Sequence, residues 1–204
     1  MIDTQLFCKA LKFAAHAAGK KDIRYYLKGV RIEWEGDTLR MIGTDGSRLA
    51  RIEMRTSEAS FAPIAATVSN DDVKRVLSTI GKDKGQVALF IEVSADPAQR
   101  AKVRITAGGV TLDLMGVEGI YPQWRRILPA SGRVMGDMPY LDAILVAEAC
   151  RAVEPFIVDY KGTRALLIQP GPAESDVVNV IPAPGRILDP RVLECQVVIA
   201  PVRK

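Results

Sequence analysis

The chain has 204 residues, of which 48% are hydrophobic and 25% are charged, and this composition excludes disorder as its default state. Its formal net charge of +4 is compatible with an anionic partner but does not require one. No apolar run approaches the ~20 residues of a membrane-spanning helix, and the N-terminus lacks a signal-like apolar stretch, so we predict a cytoplasmic protein.

The first segment is predicted to be one amphipathic helix followed by short strands. Asp3 or Thr4 can cap a helix that runs to about Ala18, and Gly19 ends it. An Asp-Gly pair at residues 45–46, between two alternating runs, is typical of a hairpin turn. The predicted strands are residues 24–27, 30–34, 39–43 and 48–54, followed by a loose link at 55–63.

The second and third segments repeat this order. Ser69 and Gly81 delimit a second helix, and Pro139 opens a third. The predicted core stripe of the third helix is Leu141, Ile144, Leu145 and Ala149. The strands are predicted at 87–93, 102–107 and 110–115, then at 156–160, 163–169, 177–181 and 196–199. Three helix-then-strands units predict an α+β fold with its helices on one face of antiparallel sheets.

Groups that could carry catalysis or hold a metal are scarce. The single histidine, His16, lies on an alanine-rich helix, and the adjacent Asp71 and Asp72 do not face each other on a helix. The three cysteines are far apart and lack the spacing of zinc ligands. The sequence therefore predicts a chain that is not an enzyme and has no cofactor or metal site.

The first two helices are basic and the third is acidic. Residues 3–21 have four lysines against one aspartate, a net +3, and residues 69–84 have four basic against three acidic residues, a net +1. Such faces suit phosphate backbones without sequence choice, although a solvated surface explains the same pattern. Residues 137–154 have four acids against Arg151, a net −3, so this helix face is expected to repel phosphates.

Three stretches, taken in order, resemble one known family. They are RYYLKGVRIE from Arg24, TDGSRLA from Thr44 and YPQWRRILP from Tyr121, while VVIAPVRK from Val197 is similar to the same family's C-terminal strand and tail. Together they resemble the bacterial sliding clamp, the β subunit of DNA polymerase III, and specifically its middle domain. The resemblance covers about residues 1–130 well and residues 135–204 loosely.

The resemblance implies a DNA replication processivity factor that encircles duplex DNA, with helices lining a basic hole. Lysines on such helices contact phosphates without reading sequence. Tyr25 or Tyr26 could stack on an unpaired base, although strand alternation would equally place one of them in the core. The candidates for DNA contact are Lys9, Lys12, Lys20, Lys21, Arg24, Tyr25, Tyr26, Lys74, Arg75 and Lys82.

Members of that family hold extended peptides of DNA polymerases and clamp loaders in an apolar pocket lined by the TDG turn. In this sequence Arg48 and Arg126 would flank the slot, and Ser47 stands where the family usually has histidine. Without the resemblance, residues 44–46 predict only a tight hairpin turn. The pocket residues carried over by motif are Leu27, Thr44, Gly46, Arg48, Leu49, Pro122, Arg126, Ile127, Val198, Ala200, Pro201, Val202 and Arg203.

The resemblance also suggests a division into domains. Residues 1–133 would form one clamp-like domain of two units, about 1–62 and 63–133, and residues 134–204 would form a third unit, half a domain. Half a domain leaves an apolar helix face and sheet edges uncovered, which predicts self-association into a dimer or tetramer. The alternative is a shortened clamp relative that binds partner peptides as an interaction module without encircling DNA.

Overall fold

The computed structural model describes residues 1–94, 99–128, 142–156, 166–170, 178–182 and 189–200. Within them, the helices are α1, Thr4–Ala17; α2, Asn70–Ile80; and α3, Ala143–Val153. The strands are β1, Ile2–Asp3; β2, Gly29–Thr44; β3, Arg48–Ser69; β4, Gln86–Glu92; β5, Lys102–Ala107; β6, Val110–Met115; β7, Leu166–Pro170; β8, Val178–Pro182; and β9, Val192–Ile199. Short 3-10 turns are Tyr25–Leu27, Trp124–Ile127 and Glu154–Phe156. No helix in this part of the chain is long and apolar enough to cross a membrane.

The strands form two antiparallel sheets. One has the strand order β1-β4-β5-β6 and the other has the order β2-β3-β9-β8-β7. α1 packs on β2 and β3, while α3 packs on β8 and β9 of the same sheet. The prediction of an α+β fold with helices on antiparallel sheets is confirmed. Because β9 pairs with β3, the third segment shares a sheet with the first.

α1 is stabilised at its start by a side-chain cap and along one side by apolar packing. The Asp3 carboxylate accepts a hydrogen bond from the Leu6 N–H at 2.8 Å, which satisfies a donor that the first turn leaves unpaired. The apolar side of the helix is buried against β2 and β3. Gly43 of β2 permits the close approach, because a Cβ at this position would lie 1.9 Å from the Ala14 carbonyl oxygen.

α2 begins and ends where the sequence predicts. The Ser69 hydroxyl accepts a hydrogen bond from the Asp72 N–H at 3.1 Å and caps the helix. Val73, Val76 and Ile80 are buried, as their spacing of three and four residues requires for one helix face. Together with α1, this helix contributes to one continuous apolar core shared with both sheets.

Two predictions for the first segment are wrong. Residues 24–27 form a 3-10 turn and not a strand, because the Asp22 carboxylate accepts the Arg24 N–H at 2.8 Å and bends the chain. The loose link predicted at 55–63 is part of β3, which stays paired with β2 as far as Ser69 through irregular register steps.

The third helix also differs from its prediction. Ile144, placed in the core stripe, is 67% exposed, whereas Ala149 of the same stripe is buried together with Val153 where α3 packs on β8 and β9. Leu145 is half-buried, and Pro139 and Leu141 lie outside the described residues. Its first described helical residue is Ala143.

Candidate nucleic-acid face and partner surface

The exposed side of α1 is bordered by two grooves, because α1 contacts α2 on one flank and α3 on the other. Most of the predicted DNA contacts gather around these grooves or at the adjoining turns. Those that are exposed are Lys9, Lys12, Lys20, Lys21, Arg24, Tyr25, Lys74, Arg75 and Lys82, and Tyr26 is half-buried.

The groove between α1 and α2 has a volume of about 560 Å³, and four of its twelve described lining residues are lysines. Lys12, Lys20, Lys28 and Lys74 contribute to its walls. Lys28 is absent from the predicted set, although it lies within the RYYLKG stretch that carries the resemblance. Among the described lining residues the single acid is Asp71, whose carboxylate lies 2.8 Å from the Lys74 ammonium.

The groove between α1 and α3, of about 510 Å³, is also basic. Lys9, Lys12, Lys20 and Arg151 line it, and Glu148 of α3 is the one acid among its described lining residues. Glu148 forms an ion pair with Arg48 of β3, and this hydrogen bond lowers the pKa of the Glu148 carboxyl. The repulsive acidic face expected of the third helix is therefore not found at this groove.

His16 lies in the wall of the same groove as a packed side chain. Its Nδ1 is hydrogen-bonded to the Phe13 carbonyl oxygen, and the rings of the two residues lie 5.6 Å apart. Burial is the main reason that the pKa of His16 falls below its ordinary value. His16 is largely covered, its pKa is lowered, and no nucleophile among the described residues is hydrogen-bonded to it. These properties fit a packing role and not a general base.

The cations of the helix face differ in whether they have partners. Arg24 donates to both carboxylate oxygens of Asp22, which lowers the pKa of Asp22 to about 2. Arg75 lies 3.7 Å from Asp72 and also donates to a backbone carbonyl of β6. Within the described ranges, the cations that form no ion pair include Lys9, Lys12, Lys20 and Lys21.

The two tyrosines next to α1 have different environments. Tyr25 is 55% exposed, whereas Tyr26 is half-buried beneath the Gly119 loop. Their rings meet edge to face at 5.9 Å. Tyr25 is therefore the side chain of this pair that is available for stacking.

The TDG stretch forms a tight hairpin turn. The Asp45 carboxylate accepts hydrogen bonds from the N–H groups of Ser47 and Arg48 at 2.9 and 3.0 Å. The Thr44 hydroxyl donates to the Arg48 carbonyl at 2.6 Å and accepts from the Gly46 N–H at 3.1 Å. Gly46 has a φ of +90°, which favours glycine at this position.

Beside this turn, on the sheet face away from α1, lies a second apolar cluster that we call the outer cluster. Ile42, Leu49 and Val198 come from β2, β3 and β9, and Tyr121 and Trp124 pack over them. Leu49 is directly opposite Val198 in the strand register. The next residues along these strands belong to the core beneath α1, since successive side chains of a strand point to opposite faces.

Three apolar members of the predicted peptide pocket have almost no exposed surface in the described part of the chain. Leu27, Leu49 and Val198 are only 1%, 1% and 2% exposed, so the molecule's own side chains cover them. The pocket role assigned to Leu27 and Leu49 stays a prediction. The remaining described members are buried Thr44, half-buried Arg48 and Ala200, and exposed Gly46, Pro122 and Arg126.

Arg48 is held toward α3 instead of flanking the outer cluster. Its Nε donates to the Asp45 carboxylate at 3.1 Å, and its terminal nitrogen pairs with Glu148. Three C-terminal residues assigned to the pocket by motif lie outside the described residues: Pro201, Val202 and Arg203. The side chain of Ile127 lies outside them as well. Their part in a pocket stays a prediction.

Trp124 anchors the YPQWRR stretch to the outer sheet face. Its indole Nε1 donates to Glu33 at 3.1 Å, and the guanidinium groups of Arg125 and Arg51 lie 4.2 and 5.4 Å from its ring. The Tyr121 hydroxyl donates to a β2 carbonyl at 3.2 Å, and burial raises the pKa of this phenol. The sequence prediction omitted both aromatic residues, although they are part of the motif that it quoted.

The family model described as "DNA polymerase III beta subunit, central domain" matches residues 1–123. The chain belongs to the DNA polymerase III β subunit family. Among curated members, the β sliding clamp of Pseudomonas aeruginosa is 29% identical over 127 residues, which are 61% of this chain and 33% of that protein. The chain thus spans about a third of that relative's length. The curated relatives carry the name of a clamp and not of an enzyme, in agreement with the predicted absence of catalysis.

Solved clamp structures extend the likeness beyond the family model. The Helicobacter pylori β clamp in complex with diflunisal has a TM-score of 0.71 at 13% identity, covering 100% of this chain and 65% of that one. The same clamp bound to a DNA ligase peptide has a TM-score of 0.67 at 13% identity, covering 99% and 64%. At such identities the likeness shows the fold, and it includes the third segment, which the family model does not reach.

Proposed function

We propose that the chain is a non-catalytic processivity factor of the sliding-clamp type, which encircles duplex DNA with its helix face and tethers a DNA polymerase at its outer face. The observation that carries the proposal is a row of exposed lysines between two basic grooves. Lys9 and Lys12 lie on α1, and Lys20 follows it. Mobile lysines attract phosphates without fixing their position, which suits a protein that slides. A cytoplasmic location belongs to the same proposal.

Salt-dependent DNA binding tests the helix face. The double variant Lys12→Glu/Lys20→Glu should weaken binding to a labelled duplex, and each lost phosphate contact should reduce the log–log salt slope by about 0.9. Lys102→Glu/Arg104→Glu is the control with the same change in net charge, since both residues are exposed on β5. Equal binding by the double variant and the control would refute this face as the DNA surface.

DNA topology tests encirclement. A closed ring should remain on nicked circular DNA through gel filtration and should leave once the circle is cut, because linear ends release a ring that has no tight contact. Retention that does not change on linearisation would show ordinary binding instead.

The proposed partners at the outer face are peptides of DNA polymerases and clamp loaders. Among the described residues assigned to the pocket, Gly46, Pro122 and Arg126 are exposed and are available for contact with an extended peptide. Leu49→Lys is a poor test, because Leu49 is buried and a charge there also destabilises the fold. Arg126→Glu changes only an exposed side chain and should lower the affinity for a polymerase-tail peptide measured by fluorescence polarisation.

The proposed assembly is a homo-oligomer, a dimer or a tetramer. β6 is the last strand of its sheet and exposes Val110 and Met115, at 42% and 50%. An edge strand with apolar side chains is a template for pairing with a second chain. Multi-angle light scattering at tens of micromolar should therefore show more than one chain, and a stable monomer would contradict the assembly.

The second candidate is an interaction module that binds partner peptides without encircling DNA. It is favoured by the pairing on α2, where Asp71 and Asp72 already hold Lys74 and Arg75 and so reduce the free positive charge. Such a module would bind the peptide and show no difference between circular and linear DNA.

A further inference from the structure

A third groove, of about 430 Å³, lies on the outer face between β2 and the turn Trp124–Ile127. Among its described lining residues it has three arginines, Arg31, Arg125 and Arg126, against one acid, Glu33. This net positive charge is unlike the rest of the outer face, where arginines and glutamates alternate in pairs. The groove therefore has an excess of cationic donors.

Arg31 is the least exposed arginine of this groove. Its Nε is buried and has no hydrogen-bond partner within the described ranges. The nearest carboxylate, that of Glu33, lies 3.6 Å away, beyond hydrogen-bond distance. Arg31 therefore has only a long ion pair to Glu33, which Arg125 shares, so the positive charge of the groove is only partly compensated.

Glu33 is shared among three donors of this groove, since it also forms an ion pair with Arg31. One accepts the Trp124 indole N–H at 3.1 Å, and the other accepts from Arg125 at 2.9 Å. Arg126 forms no ion pair with any described residue. Three arginines thus share one carboxylate, and the planar guanidinium groups of Arg31 and Arg126 match the shape of a second one.

The groove is continuous with the proposed partner surface. Tyr121 and Trp124 line it and also cover the outer cluster. We propose that the groove binds the carboxylate of an aspartate or glutamate that flanks the apolar residues of a partner peptide. The inference rests on the proposed peptide-binding role and adds to it the charge that the partner must carry.

A pair of peptides tests this. The DNA ligase peptide that the H. pylori clamp binds would be extended at each end with Glu-Glu in one version and Gln-Gln in the other, both amidated so that no terminal carboxylate competes. Fluorescence polarisation at low salt should show the acidic version binding about fivefold more tightly. In Arg31→Gln/Arg126→Gln this preference should disappear, whereas Arg104→Gln on β5, which is exposed and distant in the other sheet, should keep it.

Each outcome decides between the two proposals. Equal binding of the two versions to the wild-type chain, or a preference that survives in Arg31→Gln/Arg126→Gln, overturns the carboxylate groove and leaves the peptide-binding role intact. Absence of binding by both versions overturns the peptide-binding role and, with it, this inference. Circular dichroism of each variant verifies that the fold is retained.

Discussion

The helix face and the outer face of the five-stranded sheet both carry many positive charges, but they hold them differently. On the helix face, Lys12 and Lys20 are exposed and form no ion pair within the described part of the chain. On the outer face, Arg51 is 9% exposed in its side chain and pairs with Glu53 and Glu194. The helix face thus has unpaired lysines beside its paired cations, whereas Arg51 and its two glutamates form a fixed network on the outer face.

This difference corresponds to two kinds of recognition. A lysine ammonium is a hydrated point charge on a flexible stem, suitable for contacts that form and break along a phosphate backbone. An arginine held by carboxylates and by the Trp124 ring has a defined direction, suitable for a partner of defined shape. The two faces are therefore suited to different ligands, and substitutions can test whether the difference is real.

The largest expected effect follows the loss of the aromatic anchor. Trp124→Ala should lower the free energy of unfolding by about 3 kcal/mol, because Trp124 is 4% exposed and its removal leaves a cavity over the outer cluster. Urea denaturation measures this loss. Phe61→Ala is the control, since Phe61 is fully exposed, and a similar loss in both variants would show that Trp124 anchors nothing.

The fixed arginine network gives the second prediction. Arg51→Ala should cost about 2 kcal/mol, because it leaves Glu194 half-buried without its cation. Burial already raises the pKa of Glu194, and loss of Arg51 should raise it further. Lys20→Ala on the helix face should change stability by less than about 0.5 kcal/mol. Equal losses in the two variants would remove the distinction between the faces.

The third prediction concerns pH and the seam between α1 and α3. The pKa of His16 is lowered from 6.5, chiefly by burial and further by Arg48, while Glu148 and Asp45 act in the opposite direction. The unfolded chain therefore binds a proton more readily than the folded chain, and stability should fall as the pH drops through about 6.5. Thermal unfolding between about pH 8 and pH 5.5 should show a steeper decline for the wild type than for His16→Gln. Parallel curves would contradict the buried placement of His16.

The smallest effect is expected at the exposed ion pairs of Arg191, which link the first and third segments. Arg191 lies 3.3 Å from Asp3 and 2.7 Å from Asp189, and its side chain is 50% exposed. Solvent screens such pairs, so Arg191→Ala should cost no more than about 0.5 kcal/mol, and less in high salt. A loss as large as that of Arg51→Ala would show that exposed pairs on this protein are as strong as the buried network.

Periodicity and capping rules predicted the regular elements of the first two segments well. The helix from Ser69 to Gly81 and the strands at 102–107 and 110–115 match the structure because their signals are local: a cap, a three-and-four spacing, or a period of two. The error at residues 24–27 arose from a competing local signal, the Asp22 side chain, which an alternation pattern does not weigh.

The candidate sites were only partly predictable. Exposed lysines on α1 follow from the helix pattern alone, since residues opposite an apolar stripe face solvent. The closing of the outer cluster by Tyr121 and Trp124 does not follow, because it depends on a segment about 70 residues farther along the chain than Leu49. Charge counting along α3 likewise gave an acidic face, and it could not show that Arg48 neutralises Glu148.

The sequence by itself determined the family, the helix-then-strands order and the basic side of α1, because each of these is written in residues close together along the chain. Tertiary contacts set which charges are paired, which apolar residues are covered and how Arg31 and Arg125 come to share Glu33. The physical reason is that burial and ion pairing depend on contacts between segments that are distant in the sequence. The register in which β3 pairs with β9 determines which of their residues are in contact.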